Sequence, residues 1–263
     1  MILPPIDPVP GLPAFAPPGR RAMTVLGAPA ELIWVPERLQ RTDRPNGNRP
    51  AFRRSAAARI VATEAFWNVG GFALTPNRYP FAKEQRILWP TALLRDPDAA
   101  MWTTICSWVE AAHGTALVNN IGAAASIARC HAHLTPERLP FLATLRERPV
   151  HTDLFDLPPG VTLVAKDVPF CLLGVRGAAG PLANALLRLA EARLTAAWNV
   201  VVTDGAAWVY PRRRETPAPH FPYALGAAEV WGRWCYLEDA AFRAATPQDL
   251  ERALVDAGAE AVP

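Results

Sequence analysis

The chain has 263 residues, 51% of them hydrophobic, which is enough to fill a substantial core in one large domain or two small ones. A formal net charge of +3 is too small to indicate a nucleic-acid or membrane surface, although it suits a pocket that receives an anionic ligand. The four cysteines stand far apart without a C-x-x-C pair, so they indicate neither a zinc knuckle nor a disulfide framework, and a reducing cytoplasm is the expected location. No long apolar run and no signal-peptide pattern appears, so no membrane span is expected.

The first part of the chain, residues 1–50, is predicted to be an arm ahead of a folded domain over residues 51–263. Seven prolines within the first 18 residues remove backbone donors, so the arm is expected to lie extended over a neighbouring surface or over the partner subunit of a homodimer. A short strand is predicted at residues 32–35. The arginine-rich run at residues 41–54 is either a solvated loop or a loop that closes over phosphate.

The middle of the chain is predicted to alternate strands with one helix. The strands are expected at residues 60–65, 69–75, 85–89 and 115–119. A turn at residues 76–81, which carries Asn77, forms the polar tip of a hairpin. Asp98 is expected to cap a helix that runs to Glu110, because apolar side chains recur on one side of it at helical spacing.

The second half repeats the pattern loosely. Strands are predicted at residues 161–165, 170–175, 198–203, 207–210 and 227–236, and helices at residues 181–194 and 247–257. Asp204-Gly205 is a strong hairpin signal, and Thr246 is the expected cap of the last helix. This succession of antiparallel hairpins and interspersed helices predicts an α+β fold, an antiparallel sheet with flanking helices.

The residues with the most chemical promise are His131 and His133, which are preceded by Asn120 and Gly122. Small apolar neighbours predict a strand end, and the two-residue period of a strand puts both imidazoles on one face. Such a pair serves as metal ligands, as a nucleophile with a supporting histidine, or as buried polar packing.

The metal alternative lacks a third ligand. His113, His151 and His220 have no ligand spacing relative to the pair, and the cysteines do not cluster. We therefore predict no metal site and no cofactor. Further along, the triple arginine at 212–214 directly follows a predicted strand, where it is either a phosphate clamp or a solvated loop.

The spacing of the central motif resembles the histidine-triad superfamily, especially its nucleotidyltransferase and phosphorylase branch. The matching residues are Asn120-x-Gly122, then His131 nine residues after that glycine, then His133. Residues 72–90 resemble the substrate-side hairpin of that superfamily. Two later segments, at residues 198–212 and 228–232, are similar to the C-terminal part of GDP-hexose phosphorylases and diadenosine tetraphosphate phosphorylases.

The resemblance covers about residues 59–255 and implies that residues 51–263 form a histidine-triad-like catalytic domain. It implies that His133 is the nucleophile and that His131 supports it, without a catalytic metal. A neutral imidazole can attack an α-phosphorus and hold the nucleotidyl group covalently. Donors for the substrate are expected at Asn77, Asn120, Gly122, Ser126, Thr135 and Arg212.

Two positions depart from the family pattern. Thr135 stands where transferases of this group have glutamine and hydrolases have a third histidine, and Ala128 stands where phosphorylases have serine, with Ser126 displaced by two residues. The expected activity is a nucleotidyltransferase or phosphorylase that cleaves a nucleoside diphosphate compound, either a nucleotide sugar or a dinucleoside polyphosphate. Phosphate or another acceptor then resolves a nucleotidyl-histidine. The alternatives are a nucleotide hydrolase and a non-catalytic nucleotide-binding protein.

Overall fold

A computed structural model describes residues 3–40, 55–150, 156–203 and 205–261. The arginine-rich run at 41–54 and Asp204 of the hairpin signal lie outside these residues. The described strands are β1 (Gly19–Val25), β2 (Ala28–Trp34), β3 (Trp67–Val69), β4 (Phe72–Pro76), β5 (Arg86–Pro90), β6 (Thr115–Asn119), β7 (Ala132–Thr135), β8 (Glu147–Pro149), β9 (Thr162–Lys166), β10 (Leu173–Arg176), β11 (Ala197–Thr203), β12 (Ala206–Arg212) and β13 (Arg233–Tyr236). The described α-helices are α1 (Ser55–Glu64), α2 (Ala99–Ala112), α3 (Phe141–Thr144), α4 (Ala179–Glu191), α5 (Ala227–Val230), α6 (Asp239–Ala244) and α7 (Pro247–Ala257), and a 3-10 helix spans Pro36–Gln40.

The fold is α+β, as the sequence predicts. Ten strands form one antiparallel sheet in the order β3-β4-β5-β7-β6-β11-β12-β10-β9-β8. A second sheet has the order β1-β2-β13, and its last pair is parallel. Strand β7, which carries the second histidine, therefore lies in the interior of the large sheet between β5 and β6. Within the described ranges, no helix is long and apolar enough to cross a membrane.

The two faces of the large sheet are covered by different elements. Ala116 and Val118 of β6 belong to a core that includes α2 and α4. Leu117 of the same strand points the other way, into a core built with the three-stranded sheet and α5 to α7. The register sets His133 directly opposite Leu117. We call the face that carries Leu117 and His133 the histidine face.

Several predicted elements are confirmed, and they are those with a cap or a turn signal. Asp98 begins α2, where its Oδ1 accepts a hydrogen bond from the backbone N–H of Met101 at 2.8 Å. Thr246 begins α7, and its hydroxyl oxygen accepts from the N–H of Asp249 at 3.2 Å. Strands β11 and β12 form the predicted hairpin. Helix caps and turn residues can be recognised in the sequence, and they predict the positions of these elements correctly.

Three predicted strands are wrong in type or extent. Residues 60–65 belong mostly to helix α1, because the alanine run before them favours a helix more than three β-branched residues favour a strand. Residues 69–75 include a turn at residues 70–71, which separates β3 from β4. Residues 227–236 form α5 and then β13. The change occurs at Gly232, where φ is +102° and a Cβ atom would lie 2.4 Å from Cβ of Phe141.

The N-terminal residues lie against the rest of the chain. The carbonyl oxygen of Pro5 accepts hydrogen bonds from Arg86 Nη1 at 2.8 Å and from Trp108 Nε1 at 3.2 Å. Strands β1 and β2, which the sequence places in an arm, belong to the same sheet as β13 and to the same core as α5 to α7. The predicted boundary at residue 50 lies outside the described residues, but residues 19–34 already fold with the C-terminal half.

Candidate active site

His131 and His133 lie side by side on the histidine face. His131 directly precedes β7, and His133 is the second residue of that strand. Their ring centroids are 5.3 Å apart, with the ring planes at 76°. Because β7 is paired on both sides, the backbone that carries the two rings is fixed in the middle of the sheet. The rings thus share one face, as the spacing predicts.

His131 is buried, and its ring is oriented from two sides. It stacks on the indole of Trp89, with centroids 4.7 Å apart and planes at 27°, and that indole donates its own N–H to Thr75 Oγ1 at 2.9 Å. The Nδ1 atom of His131 lies 2.8 Å from the carbonyl oxygen of Arg129. A carbonyl oxygen only accepts, so Nδ1 carries the proton, and Nε2 of the neutral ring holds the lone pair. His131 is therefore held in one tautomer.

His133 is partly exposed and lies next to the ring of Phe81, which in turn contacts a cation. The ring centroid of Phe81 is 5.4 Å from that of His133. The guanidinium carbon of Arg38 lies 5.3 Å from the same Phe81 ring. Arg38, on the 3-10 helix after β2, is not among the residues that the sequence predicts. Its only signal in the sequence is its position just ahead of the arginine-rich run at 41–54.

A buried carboxylate accompanies Arg38 at the edge of this cluster. Glu229 of α5 accepts hydrogen bonds from the N–H groups of Gly226 at 2.8 Å and Cys235 at 3.2 Å. Burial raises the pKa of Glu229, and those two backbone donors and the charge of Arg38 act in the opposite direction. The positive charge of Arg38 therefore stabilises the carboxylate of Glu229 in α5. Helix α5 packs on the same face of the large sheet as the histidines.

The turn after β6 holds Asn120 and Gly122 against β11. Asn120 Oδ1 accepts from the N–H of Trp198 at 2.7 Å, and its Nδ2 donates to the carbonyl oxygen of Ala196 at 3.2 Å. Gly122 has φ of +97°, and a Cβ atom there would lie 2.8 Å from Cβ of Ala197. Both residues serve strand packing in this structure, and their contact with substrate stays a prediction.

Thr135, the position of the main departure from the family pattern, is fully buried on β7. Its hydroxyl donates to the carbonyl oxygen of Lys83 at 2.8 Å and accepts from the N–H of Glu137 at 3.2 Å. The hydroxyl proton is thus already used within the protein. The predicted donation from Thr135 to phosphate would require that bond to break.

Two other predicted residues lie in turns. Asn77 follows β4, and its Oδ1 accepts from the N–H of Tyr79 at 3.1 Å, which closes the tip of the hairpin. Ser126 lies partly exposed in the segment between β6 and β7. For both, a role in substrate binding stays a prediction.

Arg212 is buried at the end of β12, and its surroundings differ from the open phosphate clamp that the sequence predicts. The guanidinium donates to Asn199 Oδ1 and to the backbone carbonyl oxygens of Arg214, Glu215, Leu225 and Ala257. These acceptors engage all five N–H groups of an arginine. Burial lowers the pKa of Arg212 to about 10, so the side chain stays charged at neutral pH. Phosphate binding by Arg212 stays a prediction, and it would require some of these internal hydrogen bonds to break.

The chemistry of the region is carried by imidazole, amide and guanidinium groups. Among the described residues, no group of three or more His, Cys, Asp or Glu side chains could hold a metal ion. Cys130, between Arg129 and His131, lies with its Sγ 3.3 Å from Met101 Sδ, and burial raises the pKa of its thiol well above the usual value. Cys130 is thus a packing residue and not an activated thiol.

The architecture of this chain is shared with solved structures of another protein. The structure is similar to yeast Ap4A phosphorylase Apa2 in complex with Ap4A, with a TM-score of 0.69, 13% sequence identity, and coverage of 96% of this chain and 93% of that chain. It is also similar to Apa2 in complex with AMP, with a TM-score of 0.67, 16% identity, and coverage of 95% and 91%.

At this level of identity the likeness shows the fold, and it agrees with the α+β fold that the resemblance of the central motif implies. No protein-family model matches the chain, and no curated protein sequence matches it significantly.

Proposed function

We propose that this protein is a nucleotidyltransferase or phosphorylase that cleaves a nucleotide sugar or a dinucleoside polyphosphate through a nucleotidyl-histidine at His133. The observation that carries the proposal is the pair of imidazoles on one face of an interior strand, 5.3 Å apart, in a fold shared with an Ap4A phosphorylase. A non-catalytic binding protein would have no need of two imidazoles held side by side.

The proposed reaction has two displacements. In the first, a ring nitrogen of His133 attacks the α-phosphorus, and the bond from that phosphorus to the bridging oxygen breaks, so that the rest of the dinucleoside polyphosphate leaves as a nucleoside polyphosphate, or the nucleotide sugar loses its sugar phosphate. In the second, an oxygen of inorganic phosphate attacks the same phosphorus, the P–N bond breaks, and a nucleoside diphosphate is released. The electron pair of the P–N bond returns to His133, which restores the neutral ring.

His131 supports this sequence through its orientation. Its Nδ1 lies 2.8 Å from the carbonyl oxygen of Arg129, and this contact orients the ring beside His133. Stacking on Trp89 keeps the ring from rotating away. The supporting role that the family resemblance implies thus has a physical basis in these two contacts.

Product analysis tests the proposal directly. Nucleotide sugars and dinucleoside polyphosphates would be incubated with and without inorganic phosphate, and the nucleoside mono- and diphosphates quantified. Phosphorolysis requires phosphate and yields a nucleoside diphosphate. A rate that is independent of phosphate, with nucleoside monophosphate as its only product from the transferred group, would identify the hydrolase. The absence of any turnover would identify the binding protein.

Arg38 is proposed to meet the charge of the substrate phosphates, because its guanidinium lies over Phe81, the ring that neighbours His133. We expect Arg38→Met to lower kcat/KM by about 10- to 100-fold, the worth of one hydrogen bond to a charged group. Arg146→Met is the matched control, since the Arg146 side chain is 85% exposed. Steady-state kinetics on both variants make the comparison, and an unchanged kcat/KM in Arg38→Met would remove Arg38 from the site.

Chelation should leave turnover unchanged, because the proposed chemistry needs no protein-held metal. The protein would be dialysed against a strong chelator and then assayed with magnesium supplied only as the counterion of the substrate. Turnover equal to that of untreated protein is the expected result. Stoichiometric zinc in the purified protein, with activity that falls on its removal and returns on its addition, would contradict the nucleophile assignment.

A further inference from the structure

A line of hydrogen bonds between side chains runs from the buried Arg212 to the end of β6. Arg212 Nη1 donates to Asn199 Oδ1 at 2.7 Å, and Asn199 Nδ2 donates to Asn119 Oδ1, also at 2.7 Å. Asn199 and Arg212 are buried, with 0% and 3% of their surface exposed, whereas Asn119 is partly exposed. The line therefore begins in the core and ends at the surface of the histidine face.

The line fixes which end of each amide is oxygen and which is nitrogen. A guanidinium only donates, so the atom of Asn199 that meets Arg212 must be oxygen. The amide nitrogen of Asn199 is then turned toward Asn119 Oδ1 and toward the carbonyl oxygen of Ala123, which it meets at 2.8 Å. Reversing Asn199 would set its NH₂ group against the guanidinium and leave the carbonyl of Ala123 without this donor.

A second donor fixes the amide of Asn119. The backbone N–H of Ala227, at the start of α5, donates to Asn119 Oδ1 at 2.7 Å. With two donors on its oxygen, Asn119 must present its NH₂ group on the opposite side. Among the described residues, no hydrogen bond uses Asn119 Nδ2, so two N–H groups are held ready for an acceptor that the protein itself does not provide.

Asn119 lies next to the histidine pair. The register of β6 with β7 pairs Leu117 with His133 and Val118 with Ala132. Continued by one residue, it sets Asn119 opposite His131 on the histidine face, and opposed residues on neighbouring strands have their Cβ atoms about 5 Å apart. An oriented amide at this distance is placed to donate to an oxygen of a group bound at the imidazoles.

We propose that Asn119 donates to phosphoryl oxygens of the nucleotide beside His133, and that Asn199 and Arg212 are positioning residues that act through it. The inference rests on the proposed function and deepens it, because it names the donor that Asn120 and Thr135 do not supply while their own side chains bond within the protein. It also explains why an arginine is kept buried at the end of β12. Its guanidinium only donates, so it fixes the orientation of the Asn199 amide and, through that amide, the orientation of Asn119.

The first test compares Asn119→Asp with Asn68→Asp. Asp at residue 119 keeps an oxygen for Asn199 and Ala227 but removes the two free N–H groups. Asn68 is exposed on the edge strand β3, so its variant has the same change of charge far from the line. We expect Asn119→Asp and Asn119→Ala to lower kcat by about 100-fold or more, as loss of one oriented oxyanion donor does. Asn68→Asp should stay within twofold of wild type.

The second test asks whether Asn199 acts through Asn119. Asn199→Asp retains an acceptor for Arg212 but sets a carboxylate oxygen against Asn119 Oδ1, so only the N–H of Ala227 still holds the Asn119 amide in its orientation. We expect this variant to lower kcat about tenfold or more in the wild-type background, and to have no further effect in the Asn119→Ala background. Losses that multiply in the double variant would overturn the positioning role.

Binding of nucleoside monophosphates by calorimetry separates this inference from the proposed function. AMP, GMP, CMP and UMP would be titrated into wild type and variants. If the wild type turns over no substrate, yet a monophosphate binds at least tenfold more weakly to Asn119→Asp than to Asn68→Asp, the proposed function fails and the inference stands. Turnover and binding in Asn119→Ala within twofold of wild type would overturn the inference alone. No turnover and no monophosphate binding by the wild type would overturn both.

Discussion

Replacing His133 by alanine should abolish turnover while the protein remains folded. A covalent nucleophile has no substitute in the site, because the reaction without it requires direct displacement by the acceptor. We expect kcat to fall by at least about 1,000-fold, since removal of a nucleophile in comparable covalent enzymes costs more than that. His133 is partly exposed, so the loss of its ring leaves no large cavity, and the melting temperature should change little.

His113→Asn is the matched histidine control. His113 ends α2 in the left-handed region with φ of 48°, a conformation that asparagine tolerates. It should retain wild-type turnover. If His133→Ala keeps turnover within tenfold of wild type, a difference of about 1.4 kcal/mol in barrier, then His133 is not the nucleophile.

The largest expected effect on stability is that of Arg233→Met. The Arg233 side chain is 2% exposed, and its guanidinium lies 2.7 Å from Glu31 and 2.7 Å from Glu137. It also donates to the carbonyl oxygen of Phe81 at 3.0 Å. These contacts hold the three-stranded sheet against Glu137, which follows β7, and against Phe81, whose ring lies beside His133. Removing Arg233 leaves the largely buried Glu137 without its ion pair and leaves Glu31 paired with Arg20 alone, which costs about 3 kcal/mol or roughly 6–12 °C in Tm.

The loss of unfolding free energy in Arg233→Met should depend on pH, because it includes the ion pair with Glu137. Burial acts to raise the pKa of Glu137, but hydrogen bonding and charge from Arg233 outweigh it, so the pKa lies below the usual 4.5. A lowered pKa contributes stability above pH 4.5 that disappears as the pH falls through the folded-state value. Denaturant unfolding should thus show the full difference at pH 7 and a smaller one in acid. Arg243→Met, a 75% exposed control, should lose less than about 0.5 kcal/mol. An equal loss in both variants would contradict the role given to Arg233.

The parts of the fold that the sequence predicts are those determined by nearby residues. Helices α2 and α7 have a cap and an apolar stripe within one segment, and the β11–β12 hairpin has its turn signal between its strands. The three-stranded sheet has no such local signal, because β2 pairs in parallel with β13 across about two hundred residues. Only the packed core shows that residues 19–34 belong with the C-terminal half.

In the candidate site, too, the features that depend on nearby residues are the ones that the sequence predicts. The spacing of His131 and His133 is a local property, and their common face is predicted correctly. Whether a polar side chain faces a ligand depends on partners that are far away in sequence, such as the 80 residues between Asn119 and Asn199. Asn120 and Arg212 have the chemistry of phosphate ligands, but the chain itself provides their acceptors. Arg38 and Asn119 carry no motif and become visible only through geometry.

The most direct measurement of the central claim is the capture of the covalent intermediate. The protein would be mixed with an α-phosphate-labelled dinucleoside polyphosphate or nucleotide sugar in the absence of phosphate, quenched, and examined by intact mass and peptide mapping at neutral pH. A nucleotidyl group linked to His133 by an acid-labile P–N bond, which added phosphate discharges as nucleoside diphosphate, is the expected result. Turnover without any protein-bound nucleotide, or a label on a residue other than His133, would contradict the proposed mechanism.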